Sequence, residues 1–140
     1  MKKLFLVLIS AFALQVANAQ APVWKKEQIM PAEELAEKLK PGAKDVPLVL
    51  NVGPMDNIKT AIPVGRATSV TGIEKIKQVV AWENKNRTIV VYCGCCSYSS
   101  CPNLKPAYDA LIALGFKNTK ILGLPEGIKP DWVAKGYPME

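Results

Sequence analysis

Residues 90–103 read VVYCGCCSYSSCPN, and Cys93, Cys95, Cys96 and Cys101 in this run are all the cysteines of a 140-residue chain. So tight a cluster could staple the fold, hold a metal or act as a nucleophile. Stapling is the poorest account, because disulfide stabilisation grows with loop length and every pair here closes a tiny loop. Four thiolates could bind Zn²⁺ or Cu(I). Zinc sites, however, usually join two short knuckles from separated parts of a chain, and C-x-C-C-x₄-C on one loop makes an awkward tetrahedron. No residue is therefore assigned to a metal, and no cofactor is expected. The chain contains no histidine, which removes Cys-His and Ser-His-Asp catalysis and imidazole ligation. A nucleophilic sulfur must then be ionised by backbone dipoles or nearby cations. Chemistry that starts from a thiolate without a general base fits best, and sulfur transfer and thiol–disulfide exchange are both of that kind.

The flanking sequence predicts how the sulfurs are held. Thr88, Ile89, Val90, Val91 and Tyr92 form an apolar run that reads as a buried strand leading straight to Cys93. Gly94 allows a tight turn in which successive N–H groups could face the sulfur. Asn103 reads as the N-cap of a following helix with Pro106 in its first turn, carrying Leu104, Ala107, Tyr108, Leu111 and Leu114 on one side and stopped by Gly115. The cysteine loop thus runs from the carboxyl end of a strand to a helix N-terminus. That is where open α/β sheets bind ligands and where a thiolate is stabilised.

Other elements complete the pattern. AEELAEKLK after Pro31 predicts a helix, and Val46 to Val52 a second buried strand. Thr71 and Glu74 fit a capping box before a helix bearing Ile73, Ile76, Val79 and Val80. A further strand runs from Thr119 to Leu124. Strands alternating with helices predict an α/β fold, a mostly parallel central sheet with helices on both faces.

Lys2 and Lys3, an apolar stretch over residues 4–14 and Ala17-Asn18-Ala19 have the layout of a secretory leader. Residues 1–19 are therefore expected to be removed near Ala19, leaving residues 20–140 as a single domain exported to the periplasm or secreted. The apolar core is too short to span a bilayer, for which about 20 residues are needed, so no stable membrane anchor is expected. The net charge of +6 is scattered over residues such as Lys25, Lys38, Lys59, Arg66, Lys75 and Lys120. A scattered charge of this kind argues against a nucleic-acid partner and allows only a mild attraction for small anions.

Several segments together resemble the rhodanese-like domain, a sulfurtransferase family. Val90-Val91-Tyr92-Cys93 is similar to the V-V-Y-C that supplies its active-site cysteine. Leu48 to Val52 stands where the family has L-I-D-V-R, Ala61-Ile62-Pro63 resembles its H-I-P-G-A turn, and Leu114-Gly115-Phe116 matches the end of its post-cysteine helix. Gly127-Ile128 followed by Asp131-Trp132-Val133-Ala134-Lys135-Gly136-Tyr137-Pro138 is similar to its G-G-I-x-x-W-x-x-x-G-Y-P ending. The resemblance covers roughly residues 24–140 and implies a three-layer fold. It also implies that Cys93 carries sulfur as a persulfide between a small sulfur-containing anion and a thiol or similar acceptor. Gly94, Ser97, Tyr98, Ser99 and Ser100 would form the substrate loop.

This chain departs from the family at several places. Its loop is longer and holds no arginine or lysine, and Asn51 and Gly53 replace the aspartate and arginine of L-I-D-V-R. Thr60 or Ala61 replaces the histidine, and Lys105 is the one nearby cation that could substitute. Cys95, Cys96 and Cys101 are candidate resolving or redox residues. A thiol–disulfide oxidoreductase or redox sensor using Cys93 with Cys96 or Cys101, served by a redox partner protein, therefore stays open. So do a thiolate metal site and a non-catalytic interaction domain.

Overall fold

The computed structural model describes residues 24–140, and the leader expected over residues 1–19 lies outside the described residues. Five strands form one sheet: β1 (Ile29–Pro31), β2 (Leu48–Asn51), β3 (Ile62–Pro63), β4 (Ile89–Tyr92) and β5 (Thr119–Gly123). Their order is β1-β5-β4-β2-β3, and every neighbouring pair is parallel. Strands β2 and β4 are buried at all four positions, as continuous apolar runs covered on both faces should be.

Among the described residues four helices supply the cover: α1 (Ala32–Lys38), α2 (Val70–Val80), α3 (Leu104–Ala113) and the single turn α4 (Ile128–Asp131). One layer joins Ile76 and Val80 of α2 and Leu104, Ala107 and Leu111 of α3 to Leu48, Leu50, Ile89 and Val91 of the sheet. The opposite layer joins Leu35, Ala36 and Leu39 of the α1 segment, Ile128 and Trp132 to Val49, Val90, Tyr92 and Leu122. The alternation follows from the two-residue side-chain period of a strand. It places Cys93 in the α2–α3 layer. Among the described residues no helix is long and apolar enough to cross a membrane.

The α/β class, the parallel sheet and the two helical layers agree with the sequence reading. Local details differ. Helix α2 starts two residues early: Ser69 is its N-cap and its hydroxyl accepts from the Gly72 N–H at 3.2 Å. Glu74 pairs with Lys77 at 2.7 Å instead of closing a capping box on Thr71. A Cβ at Gly72 would stand 2.1 Å from the Arg66 carbonyl oxygen, so this approach of the chain fixes the helix start. Asn103 occupies the N-cap position of α3, but its side chain makes no cap bond there. Strand β1, which the sequence pattern did not announce, adds an edge by pairing Ile29, Met30 and Pro31 with Ile121, Leu122 and Gly123.

Candidate active site

Strand β4 lies between β2 and β5, and its carboxyl end delivers Cys93 to the middle of the sheet's upper edge. The chain leaving β2 passes directly beneath. Val52 N–H donates to the Tyr92 carbonyl at 2.8 Å, which carries the β2–β4 register one residue further. A Cβ at Gly53 would then lie 2.1 Å from the Cys93 carbonyl oxygen and 2.7 Å from its Sγ. No side chain fits at that position. The arginine that the family places there is excluded by this close approach.

Asn51 and Tyr92 tie down the connection after Gly53. The buried Asn51 amide donates to the Met55 carbonyl at 2.8 Å and to Asn57 Oδ1 at 3.1 Å, while its oxygen accepts from Gly53 N–H at 2.9 Å. An aspartate could not donate these two bonds, so the replacement of the family's acid follows from the loop's own needs. Tyr92 Oη accepts from Ile58 N–H at 2.9 Å and donates to the Asp56 carbonyl at 3.2 Å. Burial, the largest cause, pushes its pKa up to about 12, partly offset by the Ile58 bond.

The cysteine loop is anchored at both ends. Gly94 adopts φ 78°, in the left-handed region, and its carbonyl accepts from Ile128 N–H at 2.9 Å. Tyr98 N–H donates to the Leu124 carbonyl, and the Tyr98 carbonyl accepts from Trp24 Nε1 at 3.2 Å. A turn then brings Cys101 back, its N–H donating to the Ser97 carbonyl at 3.1 Å. The three serines bond within this turn: Ser97 Oγ meets Ser99 Oγ at 2.8 Å, and Ser100 Oγ donates to the Ser97 carbonyl. They shape the loop, and the groups that reach the Cys93 sulfur are Cys95, Cys101 and Asn103.

All four Sγ atoms lie within 4.8 Å of one another, and all four cysteines are free. Cys93 Sγ is 3.2 Å from Cys95 Sγ, which is 3.5 Å from Cys96 Sγ. Cys93 and Cys101 are buried, Cys96 is half-buried and Cys95 is exposed. Asn103 Nδ2 points at Cys93 Sγ from 3.9 Å, and its oxygen is held by the Thr68 N–H at 3.3 Å and hydroxyl at 3.1 Å.

These donors settle which sulfur ionises. The Cys93 pKa falls to about 5, chiefly because the Cys101 thiol donates to it; burial opposes the shift, and the Cys95 thiol, the Cys95 N–H and Asn103 add to it. Burial first, and donation to Cys93 second, push Cys95 up to about 12. Donation to Cys93, then burial, raise Cys101 as well. One thiolate is thus shared among protonated neighbours. Peptide dipoles were the expected source of this stabilisation; instead, side chains dominate and a single backbone N–H contributes. The physical reason is the loop's length, which returns Cys101 and Asn103 to the sulfur before α3 begins.

Lys105 does not substitute for the missing cations: it pairs with Asp109 at 2.6 Å on the exposed side of α3. Sequence reasoning missed Lys129. It lines a cleft of about 280 Å³ together with Met55, Gly94, Cys95 and Ile128, and the acidic Glu126 borders the same cleft. The signal was its place inside the C-terminal Gly127-Ile128 motif, which the Ile128–Gly94 bond fastens to the cysteine loop.

No protein-family profile and no curated protein matches the chain. Among solved structures, a single-domain sulfurtransferase of Saccharomyces cerevisiae is similar, with a TM-score of 0.56 and 17% sequence identity. The match covers 81% of this chain and 94% of that chain. The likeness is one of fold, and with this chain's five parallel strands between two helical layers it gives a rhodanese-like α/β fold.

Proposed function

We propose that the protein is a rhodanese-like sulfurtransferase in which Cys93 carries sulfur as a persulfide. The observation that carries this reading is the Cys93 sulfur at the end of the central strand, ringed by two thiols, a carboxamide and one N–H that can all donate to it. With a donor such as thiosulfate, the Cys93 thiolate attacks the outer sulfur. The S–S bond of the donor breaks, sulfite leaves with the bonding pair, and Cys93–S–S⁻ remains. An acceptor thiolate then takes the outer sulfur as its own persulfide and returns the Cys93 thiolate. The same donors stabilise the anion before and after transfer, an electrostatic contribution of the oxyanion-hole type. Cys93 is buried while Cys95 is exposed and borders the cleft. In this reading the donor enters past Cys95, where Lys129 offers a positive charge beside the opposing carboxylate of Glu126.

Trypsin leaves all four cysteines in one peptide, residues 88–117, because Pro106 protects the bond after Lys105. Reduced protein incubated with thiosulfate or polysulfide should gain one sulfur atom on this peptide, and Cys93→Ser should gain none. Failure of every sulfane donor to add sulfur overturns the reading. The leader read from residues 1–19 puts the activity outside the cytoplasm, which N-terminal sequencing of the mature protein checks by finding Gln20 first.

The 3.2 Å approach of Cys95 to Cys93 favours thiol–disulfide exchange as a second reading. Cys93 would attack a partner disulfide, expelling one thiolate. A neighbouring cysteine would then displace the other half, leaving an internal disulfide and a reduced partner. A stable internal disulfide after reaction with an oxidised dithiol, without sulfur uptake, would select it.

A further inference from the structure

The cysteine loop gathers more sulfur than a single nucleophile needs. Cys93 arrives from β4, Cys95 and Cys96 cross over the Gly94 turn, and the Ser97 turn brings Cys101 back from the far side. The Gly94 and Ser97 turns thereby gather all four sulfurs within one loop, which the linear spacing did not suggest. Four bonds of about 2.3 Å around a tetrahedral zinc ion set sulfur–sulfur edges near 3.8 Å. The observed sulfurs, two contacts at 3.2 and 3.5 Å and every separation within 4.8 Å, bracket that edge.

The surroundings are those of a thiolate centre. The cluster contains neither carboxylate nor imidazole, so its donor set is uniformly soft and selects against Mg²⁺ and Ca²⁺. The Cys95 N–H and Asn103 Nδ2 reach Cys93 Sγ, and Asn103 is itself fixed by Thr68. Such outer hydrogen bonds orient ligating sulfurs and offset their charge. Cys93 and Cys101 lie on the buried side, Cys95 and Cys96 toward solvent, which leaves an entry path.

We propose that Cys93, Cys95, Cys96 and Cys101 form a tetrathiolate site for a thiophilic d¹⁰ cation of the Zn²⁺ class. Cys93 binds as the thiolate it already is, and each ligand sulfur that still carries a proton gives it to solvent as its bond to the ion forms, with no change of oxidation state. The bound ion takes the lone pair of Cys93 and so prevents sulfur uptake there. The binding half stands on geometry alone, and the silencing half rests on the sulfur-carrier reading.

Co²⁺ is the probe, added without oxygen to the reduced full-length mature protein. One equivalent should produce the sulfur-to-cobalt charge-transfer band and the intense visible bands of a tetrahedral thiolate ion, and one equivalent of Zn²⁺ should erase them. Asn103→Ala should keep the spectrum and weaken Zn²⁺ binding by about 10–100-fold. Cys96→Ser, at a half-buried position, should weaken the charge-transfer band. A pale octahedral spectrum, or a spectrum unchanged in Cys96→Ser, overturns the site. Sulfur uptake is then compared in metal-free and Zn²⁺-loaded wild-type protein. Uptake by the metal-free form alone supports silencing, and equal uptake by both overturns it. Metal-free protein that binds Co²⁺ as expected and takes up no sulfur defeats the sulfur-carrier reading and leaves the metal site standing.

Discussion

The two ends of the same central strands are built differently. At the amino end of β4, beside that of β2, the chain is turned by ordinary local bonds: Arg87 N–H to the Asn84 carbonyl at 2.9 Å and Asn86 N–H to Asn84 Oδ1 at 2.9 Å. Arg87 pairs with Glu83 at the surface, and a cleft of about 210 Å³ lined by Asp45, Val46, Asn86, Arg87 and Thr88 opens there. At the carboxyl ends, buried amides, a buried phenol and a glycine with no room for a Cβ hold the chain. Water can replace most partners at the first end and few at the second. The difference teaches that the close-fitting contacts of this chain are concentrated where the Cys93 sulfur is held, while the opposite turn is closed by local bonds.

The contrast is tested most severely by Gly53→Ala. Its Cβ would stand 2.1 Å from a backbone oxygen, so the variant should lose about 3 kcal/mol or more, or keep its fold only by displacing Cys93. Chemical denaturation and thiol alkylation rates read the two outcomes. An unchanged midpoint with unchanged alkylation would break the comparison.

Asn51→Asp comes next. It sets a carboxylate against two oxygens that now receive hydrogen bonds, at a cost of roughly 2–3 kcal/mol at neutral pH. The folded pKa of that carboxyl would lie above its unfolded value, so the penalty is absent in acid and grows as pH rises through the carboxylate range. Thermal melts should show the variant approaching the wild-type protein as pH falls toward 4.

A third measurement sharpens the site itself. With the Cys93 pKa near 5 against an ordinary 9.0, alkylation of Cys93 should hold a plateau from neutral pH down to about 5 and fall below it. Cys101→Ala removes the leading donor and should move the midpoint upward. The depressed pKa also adds stability that is complete above the unfolded value and lost as pH falls through the folded one. The stability advantage over Cys93→Ala should accordingly shrink between pH 9 and pH 5.

The smallest effect is expected at the other end. Arg87→Ala breaks a partly exposed ion pair and should cost about 0.5 kcal/mol or less, within reach of careful urea titration.

Much of this was legible in the chain. The strands β2, β4 and β5 announced themselves because burial on both faces requires unbroken apolar runs, and α1 and α3 because their apolar residues recur at helical spacing. β1 was not, since three edge residues carry no period and their pairing with β5 is made across the fold. Ser69 outcompeted Thr71 as the α2 cap through a backbone approach at Gly72 that no local pattern encodes. The position of Cys93 could be read from VVYC. The thiols and the amide that serve it could not, because Cys101 and Asn103 reach the sulfur only through the path of the intervening loop. The gathering of four sulfurs within 4.8 Å was hidden for the same reason.

The contact beneath Cys93 also constrains redesign. With the Cys93 carbonyl lying where any substituent on residue 53 would have to sit, the sulfur-rich crossover and an arginine at that position exclude each other. Grafting a shorter, guanidinium-based anion pocket onto this scaffold would require replacing the loop before, or together with, residue 53, since an arginine there collides with the present path of Cys93.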